Sequence, residues 1–284
     1  MAKDRMHGGL GEQGKLPLFS VVPTHRQPSL THVRPEYVSS GLEVLDAALD
    51  GGLRCGAMSL VASRACVGSM SLLIGAALSA LEQGLTVLYV TDRVKDEPMR
   101  GRLMVCQSKV NGYRFRAGVA SESDYEKLWQ ASEDIAWERL KLISRRAVSL
   151  DEVDELTTEL KPHLIVADFE PGRTRDGKRP GYRPLKRGFE SLATLGQTVG
   201  AALLVRHVFP LGTCAPDRLE LPGLGTIAEL FDSVVLLHRE VEPTGENTGT
   251  DVDAQVIRLR LRDIRPRRVS LLFDQRFGGL SSAG

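Results

Sequence analysis

The residues from Ser63 to Met70 have the types and the spacing to bind a phosphate. The stretch Ser63-Arg64-Ala65-Cys66-Val67-Gly68-Ser69-Met70 follows a short apolar run, Met58 to Ala62, and leads into the apolar Leu72-Leu73-Ile74. A strand, a loop of small residues and a helix in that order bring backbone N–H groups and a helix N-terminus to one point, which suits an anion. The pattern that holds a nucleoside triphosphate is G-x-x-x-x-G-K-[ST], with the lysine on the outer phosphates and the hydroxyl on magnesium. Here Gly68 fills the second glycine, but Ser63 stands at the first, Ser69 at the lysine and Met70 at the Ser/Thr. Loss of the lysine removes an attraction worth about 4 kcal/mol at an effective dielectric of about 20. A thioether is a poor ligand for hard magnesium. Ser71 does not replace the hydroxyl, because one further residue turns the side chain about 100° around the helix.

Three other groups of residues could do chemistry. Asp168 ends the apolar run Leu164-Ile165-Val166-Ala167, a placement that suits either a metal-binding carboxylate or a helix cap. Arg173, Arg175, Lys178, Arg179, Arg183, Lys186 and Arg187 lie among glycines, prolines and Tyr182 in the stretch after it. Such a basic loop reads as a clamp on a phosphate backbone, salt-dependent and sequence-neutral, or as a solvated charged loop. Arg258, Arg260 and Arg262 alternate and so share one strand face, an arrangement that also suits an exposed edge strand.

The elements that must position these residues are legible in the pattern. A helix after Ser39-Ser40, with serine as N-cap, ends at Asp50-Gly51-Gly52. Strands are expected over 58–62, 86–90, 140–143, 164–168, 201–205 and 233–237, and helices over 70–82, 97–106, 124–137, 150–160 and 185–199. Segments 255–262 and 268–273 read as a hairpin turning at 263–266. Strand and helix patterns alternate, so the class is α/β, with a mostly parallel sheet, helices on both faces and a C-terminal antiparallel hairpin. Residues 1–36, rich in Gly, Pro, His and basic residues, read as a flexible arm, 37–276 as the domain and 277–284 as a tail.

Bulk composition narrows the function. The 284 residues are 42% hydrophobic and 26% charged with a net charge of +1, so any nucleic-acid surface must be local. Cys55, Cys66, Cys106 and Cys214 form no C-x-x-C pair, which argues against a disulfide framework or a zinc site. No apolar run reaches the roughly 18 residues of a membrane span, and the N-terminus lacks a signal-like apolar segment. A cytoplasmic protein is expected.

Taken together, the stretches resemble the RecA-like P-loop motor domain of the DnaB family of hexameric replicative helicases. Ser40-Gly41-Leu42-Glu43-Val44-Leu45-Asp46 through Gly51-Gly52-Leu53-Arg54-Cys55-Gly56 is similar to that family's T-G-x-x-x-L-D…G-G-L-x-P-G segment. Ala62 to Gly68 is similar to its A-A-R-P-x-x-G loop, and Arg114 to Gly118 with Asp124 to Leu128 to R-x-x-x-G…W-x-x-L. Leu164 to Asp168 resembles its Walker B strand, and Asp232 to Arg239 its D-x-V-x-x-L-x-R. The resemblance spans about 37–276 and implies a nucleotide site containing Arg64, Gly68, Ser69 and Asp168, with His207 near the family's sensor glutamine. It implies that Arg260 and Arg262 fall near a K-x-R pair that reaches a neighbouring subunit's nucleotide, in a homo-oligomer. It also puts Arg93 where the family has its water-orienting glutamate, and a cation cannot serve as general base. The family's N-terminal helical domain and linker helix have no counterpart in the arm, so ring assembly through that collar and primase contacts are not expected to carry over. The arm's Gln13-Gly14-Lys15-Leu16-Pro17-Leu18-Phe19 is similar to the Q-x-x-L-x-[LF]-F peptides that dock on bacterial sliding clamps, although Leu16, Leu18 and Phe19 would equally pack on the domain.

Three functions fit. One is a DnaB-like module that binds single-stranded DNA or scaffolds replication or repair proteins, with ATP and magnesium held weakly or not at all. The second is an ATP-driven helicase with relocated catalytic groups. The third is a regulatory protein-interaction module on the same fold.

Overall fold

The apolar runs do become buried strands. The computed structural model describes residues 34–145, 148–173, 178, 180–208, 225–239, 250–258 and 263–283. A small ribbon of Tyr37–Val38 (β1) and Leu53–Arg54 (β2) flanks a short helix, Glu43–Ala48 (α1). The main sheet then begins with Met58–Ser63 (β3), followed by the helix Ser69–Glu82 (α2) and Val87–Thr91 (β4). Helices Asp96–Ser108 (α3), Gly112–Arg116 (α4) and Glu122–Asp134 (α5) lead to Leu140–Ser144 (β5). Leu150–Leu160 (α6), Leu164–Asp168 (β6), Tyr182–Val199 (α7) and Ala202–Val208 (β7) follow. Ser233–His238 (β8), Thr250–Arg258 (β9), Asp263–Asp274 (β10) and Gly279–Ser282 (β11) complete the sheet.

The strand order is β11-β10-β9-β8-β3-β7-β6-β4-β5. β8, β3, β7, β6, β4 and β5 run parallel, and β9, β10 and β11 extend the sheet antiparallel. Every residue of β3, β4 and β6 is buried, as strands covered on both faces must be. One core joins α1, α2, α3 and α5 to Val61, Tyr89, Val166, Leu204 and Leu237. The other joins α6 and α7 to Leu60, Val90, Ile165, Val205 and Leu236. No helix among the described residues is long and apolar enough to cross a membrane.

Several boundaries differ from the sequence expectation. Ser40 does not cap α1: Leu42 is the N-cap, while Ser39 Oγ donates to Asp46 Oδ2 at 2.5 Å and Ser40 N–H to Asp46 Oδ1 at 2.8 Å. The serines therefore fasten the approach to the helix through an acid one turn inside it. α5 starts early because Ser121 and Asp124 form a reciprocal capping box. α7 begins at Tyr182 rather than Leu185, since Pro184 lies in the first turn, where its missing N–H costs nothing. β9 begins at Thr250 because Val252, Ala254 and Val256 point into the core and alternate with the polar Asp251, Asp253 and Gln255. The expected turn residues 263–266 lie in β10, and the sheet continues past 276, where β11 pairs with Leu271 to Asp274.

Candidate functional site

The parallel strands end their chain direction at one sheet edge, and the chemistry-bearing residues collect there. The loop from Arg64 turns into α2 through Gly68, which has φ 114°, a left-handed conformation that favours glycine. Ser63 and Ser69, both buried, join their hydroxyls at 2.9 Å, and Ser63 Oγ also donates to the Arg64 carbonyl at 2.8 Å. The residue at the lysine position thus bonds within the loop. Met70 is met by Arg102 of α3, with Nη1 2.6 Å from Sδ. Arg64 turns toward the end of β8 and donates from Nη2 to the Arg239 carbonyl at 3.3 Å.

Asp168 is the centre of the site. Its side chain is 2% exposed, Arg206 Nε lies 2.5 Å from Oδ1, and Thr91 Oγ1 donates to Oδ2 at 3.1 Å. Both carboxylate oxygens are engaged by neighbouring strands. Burial raises the Asp168 carboxyl above its ordinary range, opposed by Arg206, Thr91 and Arg93. Tyr89, two residues before Thr91 on the same face of β4, keeps its hydroxyl buried without a hydrogen-bond partner. Burial first, then the Asp168 charge, push that phenol well above its ordinary range, so it remains a proton donor. Burial and the charge of Arg116 lower Arg102, partly offset by Tyr89 and Asp168.

These residues do not fit a magnesium ion. A hard divalent cation needs carboxylate, hydroxyl or water oxygens. Here the carboxylate is taken by a guanidinium, and the hydroxyl position is a thioether under a second guanidinium.

Beside the site, Arg93 pairs with Asp92 at 3.0 Å and with Glu170 at 3.7 Å, while Arg173 pairs with Asp92 at 3.2 Å and Glu170 at 2.6 Å. Asp92 Oδ1 and Arg173 Nε make these as charge contacts without hydrogen-bond alignment. Arg93 is therefore one corner of a four-residue ion-pair network that ties the end of β4 to the end of β6.

The other expected site residues divide. Gly68 and Ser69 stand at the start of α2, after β3, and Asp168 at the end of β6. His207 alternates with Arg206 on β7 and pairs in register with Ala62, so the strand brings Arg206, not His207, to Asp168. Arg173 is held in the network just described, and Lys178 lies exposed beyond it. Arg183, Lys186 and Arg187 stand on the first turns of α7, not in a loop, with Arg183 and Arg187 exposed and Lys186 3.9 Å from Glu190. Arg175, Arg179, Arg260 and Arg262, and the Gln13, Leu16, Leu18 and Phe19 island, lie outside the described residues. Sequence reasoning missed Arg206, Arg102, Thr91 and Tyr89. The signal for Arg206 was a cation closing an apolar strand next in sequence to one closed by a carboxylate.

Comparison with known proteins agrees with this fold. Residues 37–169 match the model of the DnaB-like helicase C terminal domain. The chain is 22% identical over 219 residues to the replicative DNA helicase DnaB of Treponema pallidum, covering 73% of this chain and 49% of that protein. It is 25% identical over 210 residues to the DNA repair protein RadA of Mycolicibacterium smegmatis, covering 70% of this chain and 39% of that one. The chain thus spans less than half the length of these curated relatives. Among solved structures, an isolated ATPase domain superposes with a TM-score of 0.73 at 18% identity, covering 87% of this chain and 91% of that chain. A DnaB-like replicative helicase, described with its primase interactions, gives a TM-score of 0.74 at 18% identity, over 87% of this chain and 62% of that one. The chain is thus similar, over residues 37–169, to the DnaB-like helicase C-terminal domain, and its fold is RecA-like.

Proposed function

We propose that this protein is a DnaB-type domain that does not turn over ATP and serves as a single-stranded-DNA-binding or scaffold module in replication or repair. The observation that supports it is the pairing of Asp168 with Arg206 at 2.5 Å, which puts a fixed cation where a nucleotide-bound magnesium would otherwise meet the carboxylate. Ser69 at the lysine position and Arg93 at the glutamate position act in the same direction. Exposed Arg183 and Arg187 at the start of α7, at the sheet edge where β6 ends, supply backbone-phosphate contacts, with Lys178, Arg175 and Arg179 contributing from the preceding stretch. The Gln13–Phe19 island docks on a sliding clamp in this reading, and Arg260 and Arg262 act on a second copy's nucleotide if the protein assembles.

Phosphate release from ATP is the deciding measurement, made with magnesium and with and without single-stranded DNA. The expected result is none above background, together with salt-sensitive DNA binding. Brisk turnover abolished by Asp168→Asn would overturn the proposal in favour of a working motor.

A further inference from the structure

Arg34 fastens the first described residues to the sheet edge opposite Asp168. Its Nη1 donates to the Pro162 carbonyl at 2.9 Å and to the Gly200 carbonyl at 3.3 Å, and its Nη2 to the Lys161 carbonyl at 2.8 Å. Lys161 and Gly200 are the C-caps of α6 and α7, so the guanidinium sits where two helix ends present carbonyls and negative dipole. Two residues on, the Glu36 carbonyl accepts from the Cys55 N–H at 2.9 Å. The chain therefore enters the domain pinned between the end of α7 and the turn that leads into β3.

A cleft of about 480 Å³ opens beside that entry, where β3 and β8 begin. Met58, Ala193, Ala228 and Phe231 line it with apolar surface, and Gln197 and Glu229 stand exposed on its rim. Arg54, also in the lining, pairs through Nη2 with Asp232 Oδ1 at 3.1 Å, yet its Nε is buried without a hydrogen-bond partner. Leaving a buried charged donor unmade is costly. Gly56 at the mouth has φ 71°, and a Cβ there would meet nothing within 4 Å, so a second backbone can come close. An occupant that fits must bring an apolar side chain for the floor, a carbonyl oxygen for the Arg54 Nε–H and a cation for Glu229.

We propose that residues 26–33 of this same chain lie extended in the cleft, with Leu30 on its floor and Arg26 against Glu229. The segment reads Arg26-Gln27-Pro28-Ser29-Leu30-Thr31-His32-Val33 and ends where Arg34 is fastened. Ala193 and Gly200 are seven residues apart on α7, about 10 Å along its axis. The seven residues from Gln27 to Val33 reach about 23 Å when extended, so the segment spans the cleft with length to spare. No acid occurs between Glu12 and Glu36, and Arg26 is the sole lysine or arginine between Lys15 and Arg34, which suits the carboxylate on the rim. Pro28 holds itself and Gln27 extended, leaving backbone carbonyls for Arg54. A tethered segment also has a high effective concentration that a separate peptide lacks.

The test is amide hydrogen exchange of the full chain, read by mass spectrometry over residues 29–33 at several protein concentrations. The expected result is exchange slowed about tenfold or more, the effect of burying one leucine, and independent of concentration. Leu30→Asp should abolish the protection, as should Ala193→Trp, which fills the cleft. Glu229→Lys should speed exchange about threefold, and Arg26→Glu in the same chain should restore it. Circular dichroism identifies any variant that fails to fold, and if Ala193→Trp fails, Glu229→Lys and its rescue decide. Unprotected amides, or protection that Glu229→Lys leaves untouched, overturn the proposal. Protection that grows with concentration also overturns it, because the segment in the cleft then belongs to a second copy.

Discussion

Arg206 Nε lies 2.5 Å from Asp168 Oδ1 in the interior of the sheet edge, with Thr91 Oγ1 3.1 Å from the other carboxylate oxygen. The pair links adjacent strands β6 and β7 through two charged side chains that are 2% and 11% exposed. Removing one member of such a pair strands the other charge in a poorly polarisable interior. Arg206→Met should therefore destabilise the protein by about 3–5 kcal/mol. The double variant Arg206→Met with Asp168→Asn should recover most of that loss. Urea unfolding of the three proteins checks this, and additive losses in the double variant would show that the two side chains are not coupled.

The same carboxylate sets a pH dependence. Burial raises its folded-state value above the ordinary 3.8, so the folded protein binds this proton more readily than the unfolded chain does. Its contribution is therefore fully present below 3.8 and is lost as pH rises through the raised folded value. The stability difference between the natural protein and Asp168→Asn should shift against the natural protein as pH climbs from about 4 toward neutrality. Asp274 has the opposite sign, because hydrogen bonds from Arg276 lower it, so its contribution fades as pH falls. Unfolding free energies measured across this range check both slopes.

The cations that the sequence groups into one basic loop should separate in experiment. Arg173 is tied to Asp92 and Glu170, whose side chains are 6% and 14% exposed, so Arg173→Ala should cost about 1–3 kcal/mol of stability. It should do little to DNA binding. Arg183→Ala and Arg187→Ala touch exposed positions on α7 and should leave stability nearly unchanged. Each should lower the slope of log affinity against log salt by about 0.7 on single-stranded DNA. Fluorescence anisotropy over a salt series separates the two classes.

How much of this was legible in the sequence depended on whether a residue's role was local. β3, β4 and β6 are unbroken apolar runs, and burial on both faces requires just that pattern. β9 was partly hidden, because Asp251 and Asp253 open it and only the alternation of Val252, Ala254 and Val256 marks the buried face. β11 consists of Gly279-Leu280-Ser281-Ser282, whose strand identity comes from pairing with β10. The gaps in the phosphate loop were visible because a motif fixes spacing along the chain. The Arg206 pairing was not visible, because it depends on β6 and β7 lying side by side in a register that no local pattern encodes. Arg102 was hidden for the same reason, since its contact with Met70 joins two helices.

Gly68 provides the last test, with Gly75 as its counterpart. Gly68 has φ 114°, and a Cβ there would stand 3.4 Å from Phe273 Cδ2, an ordinary contact distance. Backbone strain rather than collision therefore governs Gly68→Ala, which should cost more than about 1 kcal/mol. Gly75 lies within α2, and a Cβ at that position meets nothing within 4 Å. Gly75→Ala should accordingly stabilise the protein by about 0.5–1 kcal/mol, by the ordinary preference of a helix interior for alanine. Thermal unfolding midpoints moving in opposite directions would show that the turn into α2 still requires glycine's left-handed backbone. Equal tolerance of both substitutions would mean that the loop does not hold the conformation described.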